Sequence, residues 1–438
     1  MSCIHKFQQG DDYFIIDPVS GAVHVADKLA YDALDTFNLN GELTSPLHSE
    51  IYELYKAGLL FSKDDCHAYA DLPPETPLKA LCLHVSHDCN LRCEYCFAET
   101  GGYGMKRGIM SPETAIKAID FLFENSGERV DLEADFFGGE PLMAWETVKA
   151  AVDYARRNEQ SRNKKVRFTI TTNGLLLDDE KIEYINREMV NCVLSLDGRR
   201  EVNDRIRGKS FDKIVPRFQK LVETRTNPGF TDCYVRGTFT AYNLDFTEDV
   251  IAMSELGFRN ISIEPVTAYS NEPYAITHKH LPRIFEEYDR LYELIRSGES
   301  GVNFFHFMID LTGGPCIIRR LRGCGSGNEY VAVTPEGDVY PCHRFVGHEN
   351  FKMGNIHNNC QLSTVHCQLF AGTHIYSKSD CPDCWARFYC SGGCNASSYE
   401  CFGDVKKTDS NSVECLMMKK RLECAIALNA LKQEDFSV

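Results

Sequence analysis

The chain has 438 residues, enough for about three domains and a sizeable core. Apolar residues make up 43% and charged residues 25%, as in a globular protein, and a net charge of −16 argues against nucleic acid as the main partner, because phosphate binding needs a basic face. No run approaches the ~18 apolar residues of a membrane span, and the opening MSCIHKFQQGDD lacks the apolar centre of a signal peptide, so a cytoplasmic protein that does not enter the membrane is expected. In a reducing compartment 20 cysteines serve metals or catalysis more readily than disulfides.

Residues 1–77 hold 13 acidic and 4 basic side chains, more than half of the net charge. The run from Ile4 to Asp27 reads as short strands with turns at 9–11 and 18–21. Helical spacing follows at 28–38, with Leu29, Leu34 and Phe37 on one face, and at 47–59, with Leu47, Ile51, Leu54 and Tyr55. Leu72 to Pro77, with three prolines, reads as a stiff linker. So small and acidic a sheet-and-helix stretch suits a binding module; the plain alternative is a solvated cap on the main domain.

Between about 78 and 312 strand and helix signals alternate. Strands are expected at 81–86, 130–137, 166–173, 191–198, 233–240 and 260–266, and Ser111 with Pro112 reads as the start of the first intervening helix. Such alternation predicts parallel strands with crossover helices, and six units make an incomplete (β/α)6 barrel. Chemistry belongs at the carboxyl ends of those strands. There lie Cys89–Cys96 after the first strand, Gly138-Gly139-Glu140-Pro141 after the second, Asn173-Gly174 after the third and Asp197-Gly198 after the fourth.

From 313 to 438 the chain is rich in cysteine and glycine and reads as irregular, with bound metal supplying the folding energy. Twelve cysteines fall between Cys316 and Cys424. Three more form the group Cys89, Cys93 and Cys96, while Cys3, Cys66, Cys82, Cys192 and Cys233 are scattered and read as core residues.

The spacing C-x3-C-x2-C over Cys89, Cys93 and Cys96 places three thiolates around one cube face. A [4Fe–4S] cluster usually takes four, so three leave one iron open. Zinc, with His84 or His87 as a fourth ligand, is the alternative reading of the spacing. Together with Tyr95 and the Gly-Gly-Glu-Pro segment, these residues resemble the radical S-adenosylmethionine enzymes over roughly 78–300. The resemblance implies that the open iron chelates S-adenosylmethionine, whose reductive cleavage gives a 5′-deoxyadenosyl radical. It also implies that Gly138, Gly139 and Glu140 hold the methionine ammonium. Ser195 and Arg207 would contact the methionine end, with Asp197 in the same fourth-strand motif, and Tyr95 would face the adenine. The plain alternatives are a tight turn for the glycines, a surface ion pair for Arg207 and a packed ring for Tyr95.

Cys324, Gly337 and Cys342 give C-x12-G-x4-C, and Cys381, Cys384, Cys390 and Cys394 give C-x2-C-x5-C-x3-C, closed by Cys415. Paired C-x2-C sites also suit zinc. These seven resemble the SPASM extension of peptide-modifying radical enzymes, which implies two auxiliary [4Fe–4S] clusters and three clusters in all. By the family's interleaved ligation Cys324, Cys342 and Cys394 serve the first, completed by Cys316 or by a substrate thiolate. Cys381, Cys384, Cys390 and Cys415 serve the second. Cys360, Cys367, Cys401 and Cys424 receive no role.

Sulfatase maturases in this group place an aspartate after the G-x4-C cysteine; His343 stands there instead, as a candidate base or as packing under the cluster. The N-terminal pattern resembles the winged-helix-like peptide-recognition element of ribosomal-peptide-modifying enzymes, which would hold a leader as an added strand. Its acidity predicts a basic leader. With the opening IHKF and the run 236–240, the whole chain resembles the maturases of Cys-rich SCIFF peptides. That implies thioether cross-links from a cysteine sulfur to a carbon of an acceptor residue in a Cys-rich precursor peptide, with a flavodoxin or ferredoxin as electron donor. Formylglycine formation, epimerisation, carbon–carbon cross-linking and a non-radical electron-transfer protein are the alternatives.

Overall fold

A hairpin opens the chain: β1 (His5–Gln9) and β2 (Asp12–Ile16) pair antiparallel across a two-residue turn in which Gly10 takes φ +60°. β3 (Val23–Ala26) continues the sheet beside β2, in the order β1-β2-β3. The turn between them hangs on Asp17, whose carboxylate accepts from the N–H groups of Val19, Ser20 and Ser62. The computed structural model describes residues 4–39, 43–70, 76–227, 232–311, 316–358 and 362–434. Most of the expected linker at 72–77, and Cys3 and Cys360, lie outside them.

The two expected helices are present but shorter, as α1 (Lys28–Ala33), capped by Asp27, and α2 (Pro46–Lys56), capped by Ser45. Leu29 is 71% exposed rather than on the packed face. So short a helix docks only through Tyr31 and Ala33, with Leu34 and Phe37 just beyond it, all against Ile15, Ile51 and Leu60.

Two compact units emerge, one of Met1–Leu72, Thr277–Gly323 and Gly372–Val438, the other of Pro73–Ile276 and Cys324–Ala371. In the second, β4 (Ala80–Ser86), β5 (Asp131–Gly138), β6 (Lys165–Thr172), β7 (Met189–Ser195), β8 (Asp232–Phe239) and β9 (Asn260–Pro265) pair in parallel, each with the next. The connecting helices are α3 (Pro112–Asn125), α4 (Trp145–Arg162), α5 (Asp179–Glu188), α6 (Arg200–Arg207), α7 (Phe211–Glu223) and α8 (Phe246–Glu255). Ser111 caps α3 by accepting from the Thr114 N–H at 3.0 Å, with Pro112 first in the helix. This is the six-strand parallel α/β arrangement that the alternation predicts.

The remainder corrects the expectation of irregularity. After α9 (Leu281–Arg296), the short β10 (Asn303–Phe304) and α10 (Ile317–Arg322), the chain forms β11 (Tyr330–Val333), β12 (Asp338–Tyr340) and β13 (Gly354–Asn355). β11 pairs in parallel with β4, from Tyr330 opposite Ala80 to Val333 opposite Leu83, and β12 and β13 follow antiparallel. The reason is physical. Every residue of β4 is buried, so an unpaired β4 edge would strand peptide groups away from water. Then come α11 (Thr364–Ala371), α12 (Arg387–Cys390), α13 (Asn395–Phe402) and the 22-residue α14 (Val413–Glu434). Among the described residues no helix is long and apolar enough to cross a membrane.

Candidate functional site

The loop leaving β4 carries Cys89, Cys93 and Cys96, and two tight approaches hold it. The Gly139 N–H donates to Ser86 O at 2.7 Å, and the Glu140 N–H to Asp88 O at 3.0 Å. A Cβ on Gly138 would lie 2.2 Å from Ser86 O, and one on Gly139 would lie 2.1 Å from Asp88 O. Only glycine permits the end of β5 to press so closely on the cysteine loop. Beyond Cys96 three non-glycine residues, Glu99, Thr100 and Tyr103, take left-handed φ values of 48–61°. Such strain persists only where surroundings enforce it; here the Tyr103 hydroxyl donates to Gly138 O at 3.0 Å.

The three thiols sense one another. Burial pushes the Cys89 thiol up to about 11, against the Leu91 N–H that donates to its sulfur at 3.3 Å, and Cys93 and Cys96 add to the rise. Burial likewise raises Cys93. Cys89 and Cys93, so raised, stay protonated unless positive charge comes beside them, which metal supplies. His84 and His87, the alternative fourth zinc ligands, meet each other, with 3.1 Å between His84 Nδ1 and His87 Nε2. Among the described residues no three His, Cys, Asp or Glu close on a single-ion site. A cubane, whose ligands sit on separate irons, does not require them to.

Glu140 is 1% exposed and turns to its own fold: its carboxylate accepts from Leu142 N–H (3.0 Å), the Thr172 hydroxyl (2.8 Å) and Asn173 N–H (2.8 Å). Burial nonetheless lifts its carboxyl to about 7. Thr172 and Asn173 were noted in the sequence only as a strand end; Asn173 reaches back to Cys89 Sγ at 3.6 Å and to Asn90 Oδ1 at 2.8 Å. The other expected cofactor contacts form a buried triad. Arg207 Nε donates to Asp197 Oδ2 at 2.9 Å, Arg207 Nη2 to the Tyr95 hydroxyl at 2.6 Å, and that hydroxyl to both Asp197 oxygens at 2.8 Å. The Arg207–Asp197 pair is no surface bridge, since Asp197 is fully buried. Ser195 ends β7, opposite Arg236 of β8.

In the other unit Cys381, Cys384, Cys390 and Cys415 converge. Burial first, then the three companion sulfurs, pushes Cys390 up to about 12. The Thr408 hydroxyl lies 3.9 Å from Cys381 Sγ. Cys324, Cys342, Cys394 and Cys316 are divided between the two units: Cys342 is buried beyond β12, while Cys324, Cys394 and Cys316 are exposed. His343 is enclosed by Phe97 and Phe137 and stands 3.3 Å from the Tyr330 hydroxyl. Burial, with the Arg344 and Arg236 charges, holds it at about 3, neutral and weakly basic. Of the scattered cysteines Cys82, Cys192 and Cys233 are buried, whereas Cys66 is half-buried against the core of Leu321, Ile375 and Phe388.

Residues 83–240 match the Radical SAM superfamily, and residues 324–385 match SPASM, an iron–sulfur cluster-binding domain. The chain carries a radical SAM domain and a SPASM domain. Among curated proteins it is similar to the mycofactocin maturase MftC of Mycolicibacterium smegmatis, at 29% identity over 73% of this chain and 79% of that one. It is also similar to the radical SAM cyclopropyl synthase TigE of Paramaledivibacter caminithermalis, at 24% identity over 79% and 74%. A solved structure, native anSMEcpe with bound AdoMet and Cp18Cys peptide, shares the fold with a TM-score of 0.64, 20% identity, and coverage of 82% of this chain and 99% of that one. The two domains imply S-adenosylmethionine and [4Fe–4S] clusters.

Proposed function

We propose that this protein installs thioether cross-links in a ribosomally made, Cys-rich peptide. The observation that carries the reading is the antiparallel sheet β1-β2-β3, joined in one chain to a radical SAM and a SPASM domain. The sheet order leaves β3 with one unpaired edge among the described residues, to which an extended leader can add as a strand. The acidity of residues 1–77 favours a basic leader. The similarity to a maturase and to a structure solved with a bound peptide supports a peptide substrate.

Bound S-adenosylmethionine and the clusters supply the hydrogen-abstracting radical and the path by which the surplus electron leaves. The chain's own residues supply placement. Cys89, Cys93 and Cys96 would hold the cluster that binds S-adenosylmethionine. Gly138 and Gly139 bring backbone within reach of the methionine end, and Glu140, Ser195 and Arg207 line the same strand ends. Tyr95, whose hydroxyl is fixed by Asp197, would offer its ring to the adenine. Cys381, Cys384, Cys390 and Cys415, all in one unit, would hold the second auxiliary cluster. His343, the candidate base, is held neutral by burial. A flavodoxin or ferredoxin supplies electrons.

The test is mass spectrometry of a Cys-rich peptide with a basic leader, incubated anaerobically with the reconstituted enzyme, S-adenosylmethionine and reductant. Each cross-link removes two hydrogens and one alkylatable thiol. Hydrogen loss with every thiol still alkylatable would overturn the thioether reading in favour of carbon–carbon bonding. Persistent 5′-deoxyadenosine formation by Cys93→Ala would overturn the radical assignment itself.

A further inference from the structure

The second set of SPASM cysteines is gripped from the N-terminal end of the chain, at two places. Asp64 lies just before the expected linker. Its Oδ2 accepts from Arg387 Nη2 at 3.0 Å, and Arg387, 4% exposed, donates through Nη1 to Cys384 O at 3.1 Å. Asp64 Oδ1 in turn accepts from the Tyr376 hydroxyl at 2.7 Å and from the Cys66 N–H at 3.0 Å, so the carboxylate cannot swing away. The second grip is β1. His5 stacks on Trp385, ring centroids 3.9 Å apart and planes 1° from parallel, and Trp385 directly follows Cys384. His5 Nε2 also meets Glu423 Oε1 at 2.9 Å.

Glu423 lies on α14, the helix whose first turn carries Cys415. Two strand positions further on the same face of β1, Gln9 is 3% exposed; its Oε1 accepts from Lys420 Nζ at 3.1 Å and from the Cys424 thiol at 3.6 Å. One face of β1 therefore holds the Cys415 helix, and His5 and Asp64 together bracket the segment from Cys384 to Cys390.

We propose that Asp64 and His5 are positioning residues for the second auxiliary cluster, so that the segment read as the peptide-recognition domain also builds the wall of a redox site. The inference rests on the reading of Cys381, Cys384, Cys390 and Cys415 as that cluster's ligands. Asp64 acts by neutralising and orienting Arg387. Without it, the buried guanidinium that donates to Cys384 O loses its counter-charge, and its net positive charge then acts on the segment that carries Cys384 and Cys390. His5 acts by fixing the Trp385 ring, and with it the backbone on which Cys384 sits.

The experiment uses the full chain, reconstituted anaerobically with iron and sulfide. Iron per chain, electron paramagnetic resonance of the reduced protein and a potentiometric titration are read for wild type, Asp64→Ala, Asp64→Asn, Asp64→Glu, His5→Ala, Cys384→Ala and, as a neighbouring control, Lys63→Ala, whose partner is the exposed Asp65. Cys384→Ala identifies the resonance of the second auxiliary cluster by removing it. The expected result is that Asp64→Ala, Asp64→Asn and His5→Ala shift that resonance to a more positive potential or lose it, with up to about four irons per chain. The signal that responds to S-adenosylmethionine stays intact, Asp64→Glu restores the wild-type trace, and Lys63→Ala leaves it unchanged. A wild-type resonance and potential in Asp64→Asn and His5→Ala would overturn the proposal, as would loss of both signals together, which marks general unfolding. If Cys384→Ala removes nothing that wild type shows, the ligand reading itself fails, a result separate from either.

Discussion

Gly139→Ala tests whether the close approach of β5 to the cysteine loop is what places the cluster. The added Cβ would sit 2.1 Å from Asp88 O and 2.5 Å from Asp88 C, both backbone atoms of the residue before Cys89. To reach even 3.0 Å, a separation real Cβ atoms barely attain, the two segments must part by about 0.9 Å. No slack exists behind them: Gly101 Cα stands 3.1 Å from the new Cβ, and a Cβ on Gly101 would itself meet Cys89 Cβ at 3.0 Å. Overpacking of this kind costs about 1–3 kcal/mol of stability. The larger effect is on turnover, because a displacement near 1 Å at a reacting centre costs on the order of 100-fold, or ~2.7 kcal/mol of barrier. Gly108→Ala is the matched control. It lies in the same loop region, where Gly108 O accepts from the His87 N–H at 2.8 Å, yet its Cβ would meet nothing within 4 Å. The assay is 5′-deoxyadenosine formation under excess reductant, read with iron per chain. Equal turnover and equal iron in Gly139→Ala and Gly108→Ala would refute the argument.

Other outcomes follow from the same geometry. Asp197→Asn leaves the Arg207 guanidinium buried without its counter-charge, so stability falls by about 3–5 kcal/mol; the double change with Arg207→Met recovers part of it, and strictly additive losses in melting would disprove the coupling. Burial, then the Glu133 charge, raises the Asp135 carboxyl to about 7, so the folded chain keeps a proton that the unfolded chain releases near pH 4. Stability is thus lost as pH rises from about 4 to about 7; Asp135→Asn should gain on wild type in melts taken from pH 5 to 8, and parallel curves would rule this out. Binding of a basic leader peptide should weaken as salt rises, while an acidic peptide of equal length fails to bind; salt-independent binding would remove the electrostatic account. Deleting residues 1–77 should lower iron content as well as peptide binding, since His5, Gln9 and Asp64 leave with the deleted segment. A truncated chain with its full iron would contradict that.

The strand positions were legible because their signals are local. The run expected at 81–86 is β4 at Ala80–Ser86, and the one at 260–266 is β9 at Asn260–Pro265. Period-two and period-3.6 patterns, together with a serine cap before a proline, need no distant partner to be read. The group Cys89, Cys93 and Cys96 was legible for the same reason, since it lies within eight residues, whereas Cys381, Cys384, Cys390 and Cys415 are grouped only by the resemblance, Cys415 standing 25 residues beyond Cys390. Tyr95, Asp197 and Arg207 were each marked for a ligand, but their mutual triad was invisible, because Tyr95 lies 102 residues from Asp197 and 112 from Arg207. Glu140 was read as a cofactor contact alone, and its bonds to Thr172 and Asn173 depend on β5 and β6 lying side by side.

The sequence by itself determined where the cysteine groups lie and in what order strands and helices follow, because both are read from spacing along the chain. Tertiary structure decided what surrounds those thiols. β11 joins β4 because a fully buried strand needs its edge completed, and 250 residues separate Tyr330 from Ala80. Asp64 meets Arg387 across 323 residues because a buried guanidinium needs a counter-charge, whichever segment brings it.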